Sequence, residues 1–259
     1  FGGRVKSVED KAARAIPGVA DVVAIPNGVA VLAKDFWSAK KGRDALKIEW
    51  DESQAWRGSS DTILADYREL AKTPGLAARK DGVAEAELGK AHKVFEAEFA
   101  FPFLAHASME PLNCVMKFDE HGCEVWNGEQ LHTGDQYALA KTFGIKLEQV
   151  KLNMVYAGGS FGRRANPQSD YLLETAQIVK AINGRAPVKL VWTREDDMRG
   201  GFYRPLYLHR VRAALDSAGM PVAWPNMSHS AISMPLTVWV SVPPRPSQNV
   251  FWCSFSDTR

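Results

Sequence analysis

Val150, Leu152, Met154 and Tyr156 alternate with polar Lys151 and Asn153, the two-residue period of a half-buried strand. The alternation stops at Gly158-Gly159-Ser160-Phe161-Gly162, with Arg163 and Arg164 directly behind. Asn166 and Pro167 suit the N-cap and first position of a helix running to about Asn183. Leu172, Leu173, Ala176, Ile178, Val179 and Ile182 leave that helix little polar circumference, so most of it is predicted to be buried.

The remaining pattern is read in order. Ser7 to Ala15 predicts a short helix with Ser7 as N-cap, stopped by Pro17-Gly18. Val19 to Ile25 and Gly28 to Leu32 predict a hairpin across Pro26-Asn27-Gly28. Asp35 caps a helix that leads to a strand at Ile48–Trp50. A further helix from Asp61 places Ile63, Tyr67 and Leu70 on one face, with Pro74-Gly75 as its stop. From Lys93 to Phe101, Phe95, Ala97, Phe99 and Phe101 alternate with Glu96 and Glu98. That predicts a strand with its aromatic face buried and its charged face in water. Phe103 to Pro111 is a loop dense in functional atoms, followed by two strands, Cys114–Phe118 and Gly122–Asn127. Thr133 or Asp135 caps a helix to Phe143, with Gly144 at its C-terminal end. Val188–Trp192 and Leu206–Leu215 are further strands, whereas Met234 to Arg259 follows neither period. The expected fold class is α+β: a small α/β domain over residues 1–95, then a mixed α+β domain over 96–259, with an irregular tail from about 234.

Composition narrows the chemistry. Apolar content of 46% and charged content of 24% are those of an ordinary globular chain. A net charge of +2 gives no ground for a nucleic-acid or membrane-surface partner. No apolar run reaches membrane-spanning length. Cys114, Cys123 and Cys253 form no CxxC pair, and the six histidines show no HxxxH or HxH spacing. An iron–sulfur, zinc or His-ligated metal site built by this chain alone is therefore not expected. The sequence opens FGGRVKSVED, without initiator Met or apolar leader, and carries no sign of compartment.

A strand, a glycine loop and a helix together aim free backbone N–H groups at an anion, and two arginines add bidentate donors. The same residues also make a tight turn whose glycines only supply positive φ. The loop lacks both GxGxxG and the Lys-Ser/Thr of a P-loop, which weakens a phosphate- or nucleotide-binding module as the alternative. A noncatalytic interaction fragment is a further alternative.

AGGSFGRR, Ala157 to Arg164, resembles the molybdenum hydroxylases of the xanthine oxidase and aldehyde oxidase family, in particular the isoquinoline 1-oxidoreductase beta-subunit type. Three stretches agree in order: Phe1 to Asp51 resembles the family's small hammerhead domain, FPFLAHASMEPLNC (Phe101 to Cys114) the start of its molybdopterin-binding domain, and WTREDDMRGGFYRP (Trp192 to Pro205) the segment after the glycine-loop helix. The resemblance spans roughly residues 1–232. It implies an aldehyde or N-heteroaromatic hydroxylase using water-derived oxygen and passing electrons to a small 2Fe-2S subunit. Its molybdenum-pterin cofactor, molybdopterin or the cytosine dinucleotide form, would take no protein side chain on the metal. Gln130, Gly158, Gly159, Ser160, Phe161, Gly162 and Arg163 would contact the cofactor, and Phe161 would also line the substrate path. His106 and Glu110 are read as structural. The family's catalytic Glu falls in a C-terminal region outside this sequence, so no residue here takes that role. Neither bound cofactor nor turnover is expected of this chain without the rest of the large subunit.

Overall fold

The computed structural model describes residues 2–73, 81–200, 202–231 and 238–240. Its first elements are β1 (Arg4–Glu9), α1 (Lys11–Arg14), β2 (Val19–Ile25), β3 (Gly28–Ala33), α2 (Phe36–Asp44), β4 (Lys47–Asp51), α3 (Ser60–Leu70) and α4 (Ala84–Leu88). There follow β5 (Lys93–Phe101), β6 (Leu104–Ala105), β7 (Asn113–Asp119), β8 (Gly122–Asn127), α5 (His132–Phe143), β9 (Val150–Met154) and α6 (Asp170–Ala181). The last are β10 (Val188–Val191), α7 (Arg194–Arg199), β11 (Tyr203–Arg204), β12 (Leu206–Leu215), β13 (Pro221–Ala223), β14 (Asn226–Ala231) and β15 (Val238–Val240). Helices and strands are mixed as the sequence predicts. The chain forms two compact units, Phe1–Ala55 with Ala105–Phe202 and Trp56–Leu104 with Tyr203–Arg259. The boundary expected near residue 95 falls inside β5, a strand of the second unit.

In the first unit a four-stranded sheet has the order β10-β7-β8-β9. The β7–β8 pair is an antiparallel hairpin, and β9 runs parallel to β8 after a crossover through α5. Every second residue of the hairpin faces inward: Cys114 and Met116 on β7, Cys123 and Val125 on β8. Leu172, Ala176 and Val179 of α6 close over them with no exposed surface. The predicted apolar circumference of that helix is thus real. The β2–β3 hairpin adds Val23, Ile25, Ala30 and Leu32 to the same core. Gly144 ends α5 at φ 71°, the left-handed position that an L side chain resists. Gly144→Ala is expected to cost about 1 kcal/mol in urea unfolding, and an unchanged midpoint would contradict the cap.

Three local expectations are corrected. The Ser7 helix is instead β1, antiparallel to β4, with only Lys11–Arg14 helical beyond it. Val5 and Val8 go to the strand, where branched side chains pack best. Neither Thr133 nor Asp135 caps α5, which starts at His132 without a side-chain cap. Asn166 does not start the next helix either. Its Oδ1 and carbonyl accept from the amides of Gln168 and Ser169, closing a turn, and α6 begins only at Asp170. Elsewhere Asp35 caps α2 as predicted, accepting from the Ser38 amide at 2.8 Å.

In the second unit β5 pairs with β12 along nine residues, and β12 pairs in turn with β13 and β14. Ile63 and Tyr67 of α3 pack on Leu206 and Leu208. That is the face of β12 whose register partners in β5 include Glu98 and Ala100. Glu98 bonds Arg68 of α3, and Glu96 bonds Arg212. The expected burial of β5 is therefore reversed: the helix lies on the charged side, while Phe95, Phe99 and Phe101 remain about half exposed. The proposed stop of α3 at Pro74-Gly75, and most of the tail from Met234, lie outside the described residues.

Candidate functional site

The glycine loop leaves β9 at the edge of the first unit's sheet. Its ladder ends at Met154, and the Val155 amide still bonds the Asn127 carbonyl. From there the backbone runs outward: Tyr156 is fully exposed and the Phe161 ring is 64% exposed. Phe161 sits at φ 51°, flanked by Gly159 at 85° and Gly162 at 90°. A phenylalanine in that region costs about 1–2 kcal/mol of backbone strain, and it is held there from both sides.

One clamp is the segment Ala107–Glu110. Ala107 is also left-handed, at φ 51°. The Met109 amide donates to the Gly159 carbonyl at 2.7 Å, and Ser108 Oγ donates to the Ser160 carbonyl. Glu110 Oε2 accepts from the Gly158 amide, while its Oε1 accepts from Asn113 Nδ2 at 2.9 Å. The Gly158 amide chiefly holds the Glu110 carboxyl below the ordinary range against burial, helped by Asn113 and the Arg164 charge. Arg194 grips the same segment through the carbonyls of Ser108 and Met109. Glu110 thus ties the glycine loop to the segment before β7.

The other clamp is internal. The guanidinium groups of both Arg163 and Arg164 are fully buried. Arg163 pairs with Asp170 at 2.6 Å, with its Cζ 5.5 Å from the Trp192 ring centroid. Arg164 Nη2 lies 3.4 Å from Glu110 Oε2. Neither is a surface pair, and the guanidinium of Arg163, one of the residues expected at the cofactor, is buried between Asp170 and Trp192.

The loop leaves a row of donors over. Among the described residues the amides of Gly159, Ser160, Phe161 and Gly162 donate to nothing. Gln130 lies beside them. Its Oε1 accepts from Ser160 Oγ at 3.2 Å and from the Arg164 amide at 3.1 Å. A backbone amide can only donate, so the oxygen must face inward and the carboxamide NH₂ is left pointing away from these two partners. Successive amides in a left-handed turn form an anion-binding concavity. A Cβ on Gly162 would meet nothing within 4 Å, so the cradle is open there.

Glu129, which the sequence reading passed over, organises Gln130. It is 6% exposed, its Oε1 accepts from the amides of Gln130 and Leu131, and its Oε2 accepts from Asn127. A carboxylate just before a helix start was the available signal. Asp135, which was expected to cap the helix, is buried instead against Ser169.

Solved structures share this fold. Quinoline 2-oxidoreductase from Pseudomonas putida 86 superposes with a TM-score of 0.63 over 88% of this chain, at 16% identity and covering 34% of that chain. Aldehyde oxidoreductase from Desulfovibrio gigas superposes at 0.64 over 89%, also at 16% identity, covering 29% of that chain. Residues 70–239 match the molybdopterin cofactor-binding domain family, and the chain belongs to it. Among curated relatives, the membrane-bound aldehyde dehydrogenase of Gluconacetobacter polyoxogenes is 33% identical over 233 residues, 84% of this chain. Its name assigns that protein pyrroloquinoline quinone. Isoquinoline 1-oxidoreductase subunit beta of Brevundimonas diminuta is 30% identical over 220 residues, 80% of this chain. This chain spans 29% and 27% of their lengths.

Proposed function

We propose that this chain forms one wall of the molybdenum-pterin site in an oxidoreductase that hydroxylates an aldehyde or an N-heteroaromatic carbon with oxygen from water. The observation that carries this is the row of amides at Gly159, Ser160, Phe161 and Gly162, without acceptors among the described residues, beside the amide edge of Gln130. That donor set suits an oxygen-rich, anionic group, and a molybdenum-pterin with its phosphate, alone or in the cytosine dinucleotide form, is such a group. The cofactor supplies the two-electron redox chemistry when bound. The chain's own residues bind and orient: Gln130 and the amides donate hydrogen bonds, and Gly158 lets the loop lie against Glu110. The exposed Phe161 ring borders the substrate path. Donors fixed before reaction lose nothing to reorganisation as negative charge develops. Residues 1–95 take the place of the hammerhead domain, electrons leave to a separate 2Fe-2S subunit, and the rest of the large subunit completes the pocket.

Thermal-shift titration of the cofactor-free large subunit carrying this sequence, with isolated molybdenum-pterin, ATP and NAD, tests the reading. Saturable stabilisation by the pterin alone is expected; stabilisation by ATP or NAD and not by the pterin overturns it. Phe161→Gly sharpens the test. Replacing a left-handed phenylalanine by glycine is expected to raise stability by up to about 1 kcal/mol, the strain relieved less the entropy glycine adds. The pterin-induced shift should fall in the same variant.

A further inference from the structure

Beneath Gln130 lie two carboxyl groups that the loop itself does not explain. Glu129 ends the β8 side of the site and Asp135 opens the first turns of α5; they are 6% and 1% exposed. Every described contact of Glu129 is a donor: the Gln130 and Leu131 amides on Oε1 and Asn127 Nδ2 on Oε2. Asp135 Oδ1 accepts from Ser169 Oγ. Its Oδ2 is buried and meets no N–H or O–H among the described residues, yet it has Glu129 within hydrogen-bonding reach. Two carboxylate oxygens in contact repel unless a proton lies between them.

We propose that Asp135 is a neutral carboxylic acid whose proton is donated to the Glu129 carboxylate, making Asp135 a positioning residue for Gln130. The proton keeps Glu129 under the Gln130 and Leu131 amides, and so keeps the Gln130 carboxamide on Ser160 and Arg164. The inference rests on the reading of Gln130 as a ligand donor only for its functional consequence. The charged and titratable neighbours agree with it. Glu129 on one side and Asp170 at the start of α6 both oppose ionisation of Asp135. Asn127 Nδ2 bonds both Glu129 and the Tyr171 hydroxyl, and the Arg164 guanidinium nearest Tyr171 is paired with Glu110. Burial first, and then Glu129, push the Asp135 carboxyl up to about 9. Burial works against Glu129 ionising, and the bonds from Asp135, Leu131, Asn127 and Gln130 outweigh it, so its carboxyl titrates below the ordinary range. The sign follows. The folded chain keeps a proton on Asp135 that the unfolded chain has lost, so stability falls as pH rises from the unfolded carboxyl range toward about 9.

Two measurements on the chain without ligand test this. Infrared difference spectroscopy at pH 7 is expected to show a protonated carboxylic acid carbonyl that Asp135→Asn removes; no such difference overturns the inference. In amide NMR the Gln130 backbone and side-chain signals are expected to shift with one midpoint, near 9, shared with Asp135. Asp135→Asn, which keeps a donor but cannot titrate, should hold those signals at their low-pH positions throughout. Gln130 signals that stay still in the wild type, or that follow another midpoint, overturn the positioning role. If Asp135→Asn does not fold, the wild-type titration decides alone. Failure of pterin binding leaves both readouts unchanged, so the two readings fail separately.

Discussion

Asp170→Ala is expected to destabilise the chain by about 3–5 kcal/mol. Arg163 Nη2 sits 2.6 Å from Asp170 Oδ2, and its side chain is 1% exposed. Its Nε has no partner among the described residues. Without Asp170 the guanidinium keeps the Trp192 face and no ion-pair partner among the described residues, a buried charge left uncompensated. Arg163→Met should cost less, because the remaining Asp170 side chain is 19% exposed and reaches water. Denaturant unfolding of the two variants gives the comparison. If Asp170→Ala proves the milder of the pair, Arg163 does not depend on that carboxylate.

Gly158→Ala is expected to abolish the pterin-induced thermal shift and to cost the chain about 2 kcal/mol, near the worth of a charge-assisted hydrogen bond. A Cβ there would lie 2.9 Å from the Glu110 Cβ and 3.0 Å from its Oε2. Gly158 is absent from the left-handed positions, so alanine meets no backbone penalty and the effect is steric alone. The loop must separate from Ala107–Glu110, losing the Gly158–Glu110 bond and loosening Met109 on Gly159. Gly162→Ala serves as the contrast: it has open space but φ 90°. It should strain the loop while leaving the Glu110 clamp in place. Equal pterin shifts in Gly158→Ala and the wild type would show that the clamp does not shape the site.

Much of the architecture follows from period and punctuation. The β2–β3 and β7–β8 hairpins and the Gly144 stop rest on contacts within a few residues, where local preference decides. The buried girth of α6 shows in its own apolar spacing although its partners are distant. The loop from Gly158 to Gly162 was also visible, as a break in alternation with glycines on both sides of one phenylalanine. What pattern left open, cradle or turn, depends on where the amides go. That is decided by Ser108, Met109 and Glu110, some fifty residues away in the chain. The helix start shows the same division. Asn166 and Pro167 have the right chemistry for a cap, but Asn166 bonds its own neighbours while Asp135 takes Ser169, and the helix begins later.

Sequence alone determined the class of fold, the strands and helices with strong periodicity, and the glycine stretch that the proposed site is built on, because these follow from side-chain spacing and backbone permissiveness. Only the tertiary structure decided that Arg163 and Arg164 are buried struts, that Glu129 and Asp135 lie together under Gln130, and that the Phe face of β5 is the exposed one. Each of these is set by which distant segment removes water from a charge or an aromatic ring, and local spacing carries no record of that partner.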